Sequence, residues 1–263
     1  MINLFHAEFY KLRKSSFIKI AFIICAICAV SMAFVSNQVQ TGNVPASALG
    51  SASGLCEAMV VSLLGSLAIG TIICTDFESK SIHDEITCKH GRLSVVIVKV
   101  VMSLVAILIL MIPYGVTALI ALASGTEFSK MFVASAFARI MSSGVEVSAS
   151  SIGSIIVITI AVALAHTARI AICIPLAFKI KKSAIIMAIG FTFSAFMSFL
   201  TSLIEKDSFF DKLIKWTPFC NDYAMVTMDT DAGAIVKGLI ISAIFIAVIG
   251  FITYRLFRRA EIK

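Results

Sequence analysis

LSVVIVKVVMSLVAILILMIPYGVTALIAL, residues 93–122, is a run of thirty residues with one charged side chain, Lys99. A helix rises about 1.5 Å per residue, so about 20 apolar residues cross a hydrocarbon core of about 30 Å. This run is longer than that and continuously apolar. It predicts a transmembrane helix and excludes a barrel strand, in which lipid-facing and lumen-facing residues alternate over about ten positions.

Five further runs of the same kind lie at residues 17–35, 55–75, 151–178, 183–204 and 234–254. The composition agrees with them. Of the 263 residues 59% are hydrophobic and 14% charged, with a mean hydropathy of +1.01, against about 45–50% and about 25% in ordinary soluble domains. The expected fold is therefore all-α, a single polytopic domain over residues 1–263 with about six transmembrane helices.

Charge orients the spans. Placing the amino terminus inside puts Lys11, Arg13, Lys14, Lys19, Lys80, Lys89, Arg92, Lys99, Lys179, Lys181, Lys182, Arg255, Arg258, Arg259 and Lys263 on the cytoplasmic side. The external side then holds Lys130, Arg139, Lys206, Lys212, Lys215 and Lys237. Fifteen basic residues against six, with Arg169 inside a span, is a positive-inside bias that predicts cytoplasmic termini in a multi-pass plasma-membrane protein. The net charge of +7 then follows from topology, with cations at span ends facing lipid headgroups, and calls for no nucleic-acid partner. The first run is read as a retained span, because it is long and no A-x-A-like cleavage site follows it.

Three segments outside the spans carry structure. Residues 1–16 read as an amphipathic helix in the interface, with Ile2, Phe5, Phe9 and Leu12 in one stripe and Glu8, Lys11 and Lys14 largely opposite, Arg13 completing the basic end and Leu4 interrupting the polar face. The external segment 124–150 contains a second amphipathic stretch from Lys130 to Val147. There Ser135, Arg139, Ser142, Ser143 and Glu146 share one arc opposite Val133, Phe137, Ile140, Met141 and Val145, with Phe132 out of pattern, which predicts a helix lying on the outer membrane surface. The external segment 205–233 mixes acids and lysines with aromatics. Trp216 and Tyr223 suit a headgroup belt, and Pro218 predicts a short helix followed by a turn that dips toward the membrane.

Ionisable residues within spans mark candidate translocation-path positions, since a charge at bilayer depth costs about 2.5–3.5 kcal/mol on insertion scales. His166 and Arg169 stand three apart on one helix face, either pointing into a cavity or leaving Arg169 to snorkel to the cytoplasmic interface. Glu57 lies near the outer end of the second span, where exposure at the lip is the simpler account. No catalytic set accompanies His166, and no metal-ligand cluster is evident. The Cys25-x-x-Cys28 pair lies mid-span and reads as packing. Cys56 and Cys220 both come out near the external face, but nothing in the sequence brings them together. Gly65-x-x-x-x-Gly70 continues with Thr71 and lacks the lysine of a phosphate loop, so small-residue helix packing explains it.

Between the second and third spans runs DFESKSIHDEITCKHGR, residues 76–92. It keeps apolar residues at helical spacing in a cytoplasmic loop too short to be a domain, the pattern of a docking element for a partner protein. This loop, with EFYKLRKS at residues 8–15, resembles the type 2 ABC exporter permeases. Their openings carry an acidic residue, apolar residues and a Lys-Leu-basic cluster, and their first cytoplasmic loops carry the pattern met here by Phe77, Glu78, Ser81, Ile82, His83 and Asp84, Ile86, Gly91 and Arg92. Lys80 stands where that family commonly has Gly, and Cys88-Lys89 where it often has a small-Gly pair.

The resemblance implies that the 76–92 loop, with Phe77, Glu78, Ser81, Ile82, His83, Asp84, Glu85, Ile86 and Arg92, couples the bundle to a separate ATPase subunit carrying ATP and Mg. It implies no cofactor in this chain. It also implies a second permease copy or a sister permease, since six helices make half a pathway. The expected cargo is an amphipathic peptide or hydrophobic compound, as in export of, or immunity to, antimicrobial peptides and in drug efflux. The alternatives from other classes are an intramembrane enzyme and an ATP-independent channel or secondary transporter.

Overall fold

The structure, a computed structural model, describes residues 2–79, 81, 91–130, 135–205 and 208–259. Helices α1 (Ile2–Lys14), α2 (Ser16–Gln40) and α3 (Ala48–Ala52) are followed by a 3-10 turn (Ser53–Leu55), α4 (Glu57–Glu78) and α5 (Arg92–Ala123). Then come α6 (Ala136–Met141), α7 (Ala149–Ile170), α8 (Cys173–Ile180), α9 (Ser183–Ser202), α10 (Phe209–Ile214), α11 (Asn221–Ala224) and α12 (Ala232–Arg259). Among the described residues there is no strand, and six helical stretches are long and apolar enough to cross a membrane. The protein is an all-α polytopic membrane protein, and its six crossings return Arg259 to the end of the bundle where α1 lies, here named the terminal end.

Local chemistry sets the boundaries. Ser15 separates α1 from α2, its extended backbone turning the chain while its Oγ accepts from the Ile18 amide at 3.4 Å. Ser148 and Ser151 form a reciprocal capping box at the start of α7. The fourth span, expected to be continuous over 151–178, is broken at Ala171 and Ile172 into α7 and α8. Pro175 is the cause, because its ring would clash with the carbonyl four residues back. Lys181 ends α8 in the left-handed region (φ 58°), which allows a two-residue link into α9.

Helices α4 and α5 form the centre, with Val61, Ala68, Ile69, Ile73, Val95, Met102, Ile107, Leu110 and Tyr114 all withdrawn from the surface. Around them the outward faces of α2, α7, α9 and α12 remain apolar, as with Ile23, Ile27, Ile156, Phe196, Ile244 and Val248. Apolar residues on both faces are the signature of helices solvated by lipid. Helix α9 runs along α4 at close range: a Cβ on Gly70 would sit 3.0 Å from the Ser183 backbone, one on Gly190 would collide with Ser66, and Ser62 and Ser194 share a hydrogen bond of 2.8 Å. Small residues let these two helices touch.

Three expectations need correcting. Helix α1 buries Leu4, Glu8 and Leu12 against the bundle, while Ile2, Phe5 and Phe9 face outward; the apolar stripe is split, with Leu12 turned in, and an acid points inward because a partner awaits it. Among the described residues after Lys130 the helix is the six-residue α6, and Ala136, Phe137, Ala138, Ile140 and Met141 are buried rather than spread on the membrane, Phe137 lying near Tyr114 at 6.0 Å. Tyr223, expected with Trp216 at the surface, is buried, bonded to the Lys215 carbonyl at 2.6 Å and packed over Gly238, whereas Trp216 is exposed. Cys56 and Cys220 are both free thiols.

Candidate functional site

At the terminal end, charged side chains from three helices meet, three of them withdrawn from water and Lys11 at the surface. Lys99 stands seven residues inside α5, so its backbone lies about 10 Å along the helix from Arg92. Its ammonium donates to Glu8 of α1 and to Asp76 of α4, and the three side chains expose 1%, 4% and 7% of their surface. Lys11 closes the ring from its outer side, donating to Glu8 Oε1 at 2.5 Å and Asp76 Oδ1 at 3.1 Å. Among the described residues both lysines are paired with both carboxylates, and such pairing is the condition under which buried charge is tolerated.

The cluster is the root of the segment after α4. Ser81 donates to Asp76 Oδ1 at 3.0 Å, and Ser79 donates to Ser81 at 3.2 Å. Phe77, one residue beyond Asp76, turns into an aromatic group at the ends of α8 and α12, with its ring edge-on to Phe178 at 5.8 Å and Phe257 at 6.4 Å and Lys181 over its face at 4.9 Å. On the return, Arg92 donates to the carbonyls of Phe257 (2.9 Å) and Arg258 (2.6 Å), satisfying the last turn of α12 with a cation where the helix dipole favours one. Both ends of the expected coupling loop are thus fastened to the bundle. Phe77 and Arg92 face the protein and Glu78 faces outward, while Ile82, His83, Asp84, Glu85 and Ile86 lie outside the described residues. A cavity of about 270 Å³ opens beside the cluster, between Leu12, Ile18, Ala68 and Met102.

Arg169 neither snorkels nor lines an open path. It is buried, and its guanidinium donates to the carbonyls of Pro218 (3.0 Å), Phe219 (3.4 Å) and Cys220 (3.0 Å). These belong to the turn between α10 and α11. Phe219 packs between Phe193 and Phe245, which stand near the midpoints of α9 and α12. The segment after α9 therefore re-enters the bundle to mid-depth, deeper than a dip toward the surface, and the exposed carbonyls of its Pro-broken turn are what the buried cation satisfies. His166 is also buried, and among the described residues its Nε2 has no hydrogen-bond partner.

Glu57 is also inside, at the far end. It accepts from the Ser135 hydroxyl and from the Ala136 amide at 2.7 Å, so a carboxylate at the start of α4 caps the start of α6 and holds that helix in the bundle. Of the three path candidates, Glu57 and Arg169 are structural clasps in this conformation. The basic residues Arg13 and Lys14 at the end of α1 are exposed.

Sequence reasoning counted Lys99 as a flanking cation and left Asp76 and Glu8 as surface acids. The available signal was Lys99 itself, alone in thirty apolar residues, since an ammonium at that depth requires a counter-charge. Among the described residues, no group of three or more His, Cys, Asp and Glu side chains could hold a metal ion. No protein-family model matches the chain, and no curated protein matches it.

Proposed function

We propose that this chain is the permease subunit of an ATP-driven exporter of the type 2 ABC kind, seated in the plasma membrane with both termini cytoplasmic and driven by a separate ATPase that binds the segment between α4 and α5. The observation that carries the reading is the Glu8–Lys11–Asp76–Lys99 cluster. A short charged loop that served only to join two helices would need no buried ion set beneath it. Rooted as it is, a push on the loop is delivered through Asp76 and Lys99 to the central α5 and through Glu8 to α1, so that helices shift as rigid bodies.

In this reading the exposed apolar helix faces meet lipid and a second permease, either another copy or a sister chain. The cargo is an amphipathic peptide or hydrophobic compound that enters from the lipid side. ATP and Mg are held by the partner.

The test is purification of the tagged chain from its native membrane in mild detergent, followed by reconstitution. An ATPase subunit should co-purify, and cargo movement should require ATP. Replacing Ile82 or Glu85 should leave hydrolysis running while transport stops. The same buried charges would also serve a proton-coupled carrier. If the purified chain alone moves cargo down a pH gradient without nucleotide, that reading replaces this one.

A further inference from the structure

The elbow between α1 and α2 holds a groove of about 380 Å³, within the range of about 300–1,000 Å³ typical of small-molecule sites. Leu12, Ile18, Phe22 and Ile109 wall it, and Arg13 and Lys19 stand at its mouth. None of its lining residues is acidic. Both cations are exposed, and among the described residues neither takes part in an ion pair. The contrast with the adjacent cavity is informative. That cavity shares Leu12 and Ile18 with the groove, but its lysine, Lys11, lies in ion pairs with Glu8 and Asp76. On this side of Leu12 two cations are left over, at the level where Phe5 and Phe9 of α1 face lipid.

We propose that the groove seats one anionic phospholipid, with an acyl chain along Leu12, Ile18, Phe22 and Ile109 and the phosphate between Arg13 and Lys19. The positive end of the α2 dipole lies at the same mouth, since Lys19 is in its first turn. A zwitterionic lipid brings its own ammonium to compete with these cations, so the site selects net negative charge. The bound lipid wedges α1 against α2 from the face opposite the ion cluster. The proposal is independent of what powers transport.

The experiment uses the full-length chain in detergent, titrated with phosphatidylglycerol or phosphatidylcholine and read by native mass spectrometry and by the thermal unfolding midpoint. One phosphatidylglycerol should be retained in preference to phosphatidylcholine and should raise the midpoint. Arg13→Gln and Lys19→Gln should each weaken that preference about fivefold and together about 25-fold, as expected for one interfacial cation each. Ile109→Trp, which fills the groove and leaves both cations, should also expel the lipid; Phe22→Trp serves if that variant does not fold. Lys182→Gln, at an exposed cation elsewhere, should change nothing. Equal retention of the two lipids, an undiminished preference in the double variant, or equal protection by inorganic phosphate would each overturn the proposal.

Discussion

Lys99 and Asp76, from adjacent long helices that run in opposite directions, form an ion pair with both side chains almost wholly withdrawn from solvent. Glu8 reaches the same ammonium from α1, across 91 positions of sequence. Removing Lys99 leaves two buried carboxylates sharing the half-exposed Lys11, and such under-compensated buried charge is costlier than never having had the pair.

Lys99→Met should therefore destabilise the protein by about 3–5 kcal/mol, whereas Lys99→Met combined with Asp76→Asn and Glu8→Gln should recover most of the loss. Thermal unfolding in detergent reads this. A single variant as stable as the parent would mean that the charges are not buried together.

Arg169→Gln should free the re-entrant turn, since hydrogen bonds from a charged donor contribute about 1.5–3 kcal/mol each and a glutamine amide cannot span three carbonyls. Cys220, only 7% exposed in the parent, then becomes accessible. Alkylation by a small maleimide should accelerate at least tenfold, and an unchanged rate would refute the clasp.

Gly190→Val should push α9 off α4, because a Cβ there collides with Ser66 Oγ and Cys173 Sγ. Overpacking of this kind costs about 1–3 kcal/mol. Gly153→Ala is the control, since nothing lies within 4 Å of its Cβ position; it should stabilise α7 by up to about 1 kcal/mol. The two unfolding midpoints should move in opposite directions.

Cys88 lies in the segment between α4 and α5, which the proposed function places in the cytoplasm. A membrane-impermeant thiol reagent should label it only after the membrane is permeabilised. A cysteine put at Gly125, in the connection after α5, should react in intact cells. Labelling in the reverse order would remove the basis for ATPase docking.

Particular elements show how far the sequence reaches. The span 93–122 was read to within one residue at each end, as Arg92–Ala123, because the water-to-hydrocarbon boundary acts on one segment at a time. Ser183 was likewise met as the first residue of α9. Glu8 shows the opposite case: on a helical wheel it belongs to the polar face, yet it faces inward. Its placement depends on Lys99, and nothing local to residues 1–16 reports that. For α6, amphipathic periodicity pointed to a surface helix, but Glu57 supplies a cap for its first turn and the Tyr114 ring a wall, so the helix is drawn inside. The break at Ala171 is legible in principle from Pro175, a signal that the unbroken hydropathy around it conceals.

The chain by itself determined that six segments cross a bilayer and roughly where each begins and ends, since crossing is a transfer free energy that each helix settles alone. Only the tertiary structure decided which acid answers Lys99, that Arg169 holds a re-entrant turn, and which face of α1 meets the bundle. Those outcomes depend on pairings between residues tens to scores of positions apart, whose energies exist only once the helices are side by side.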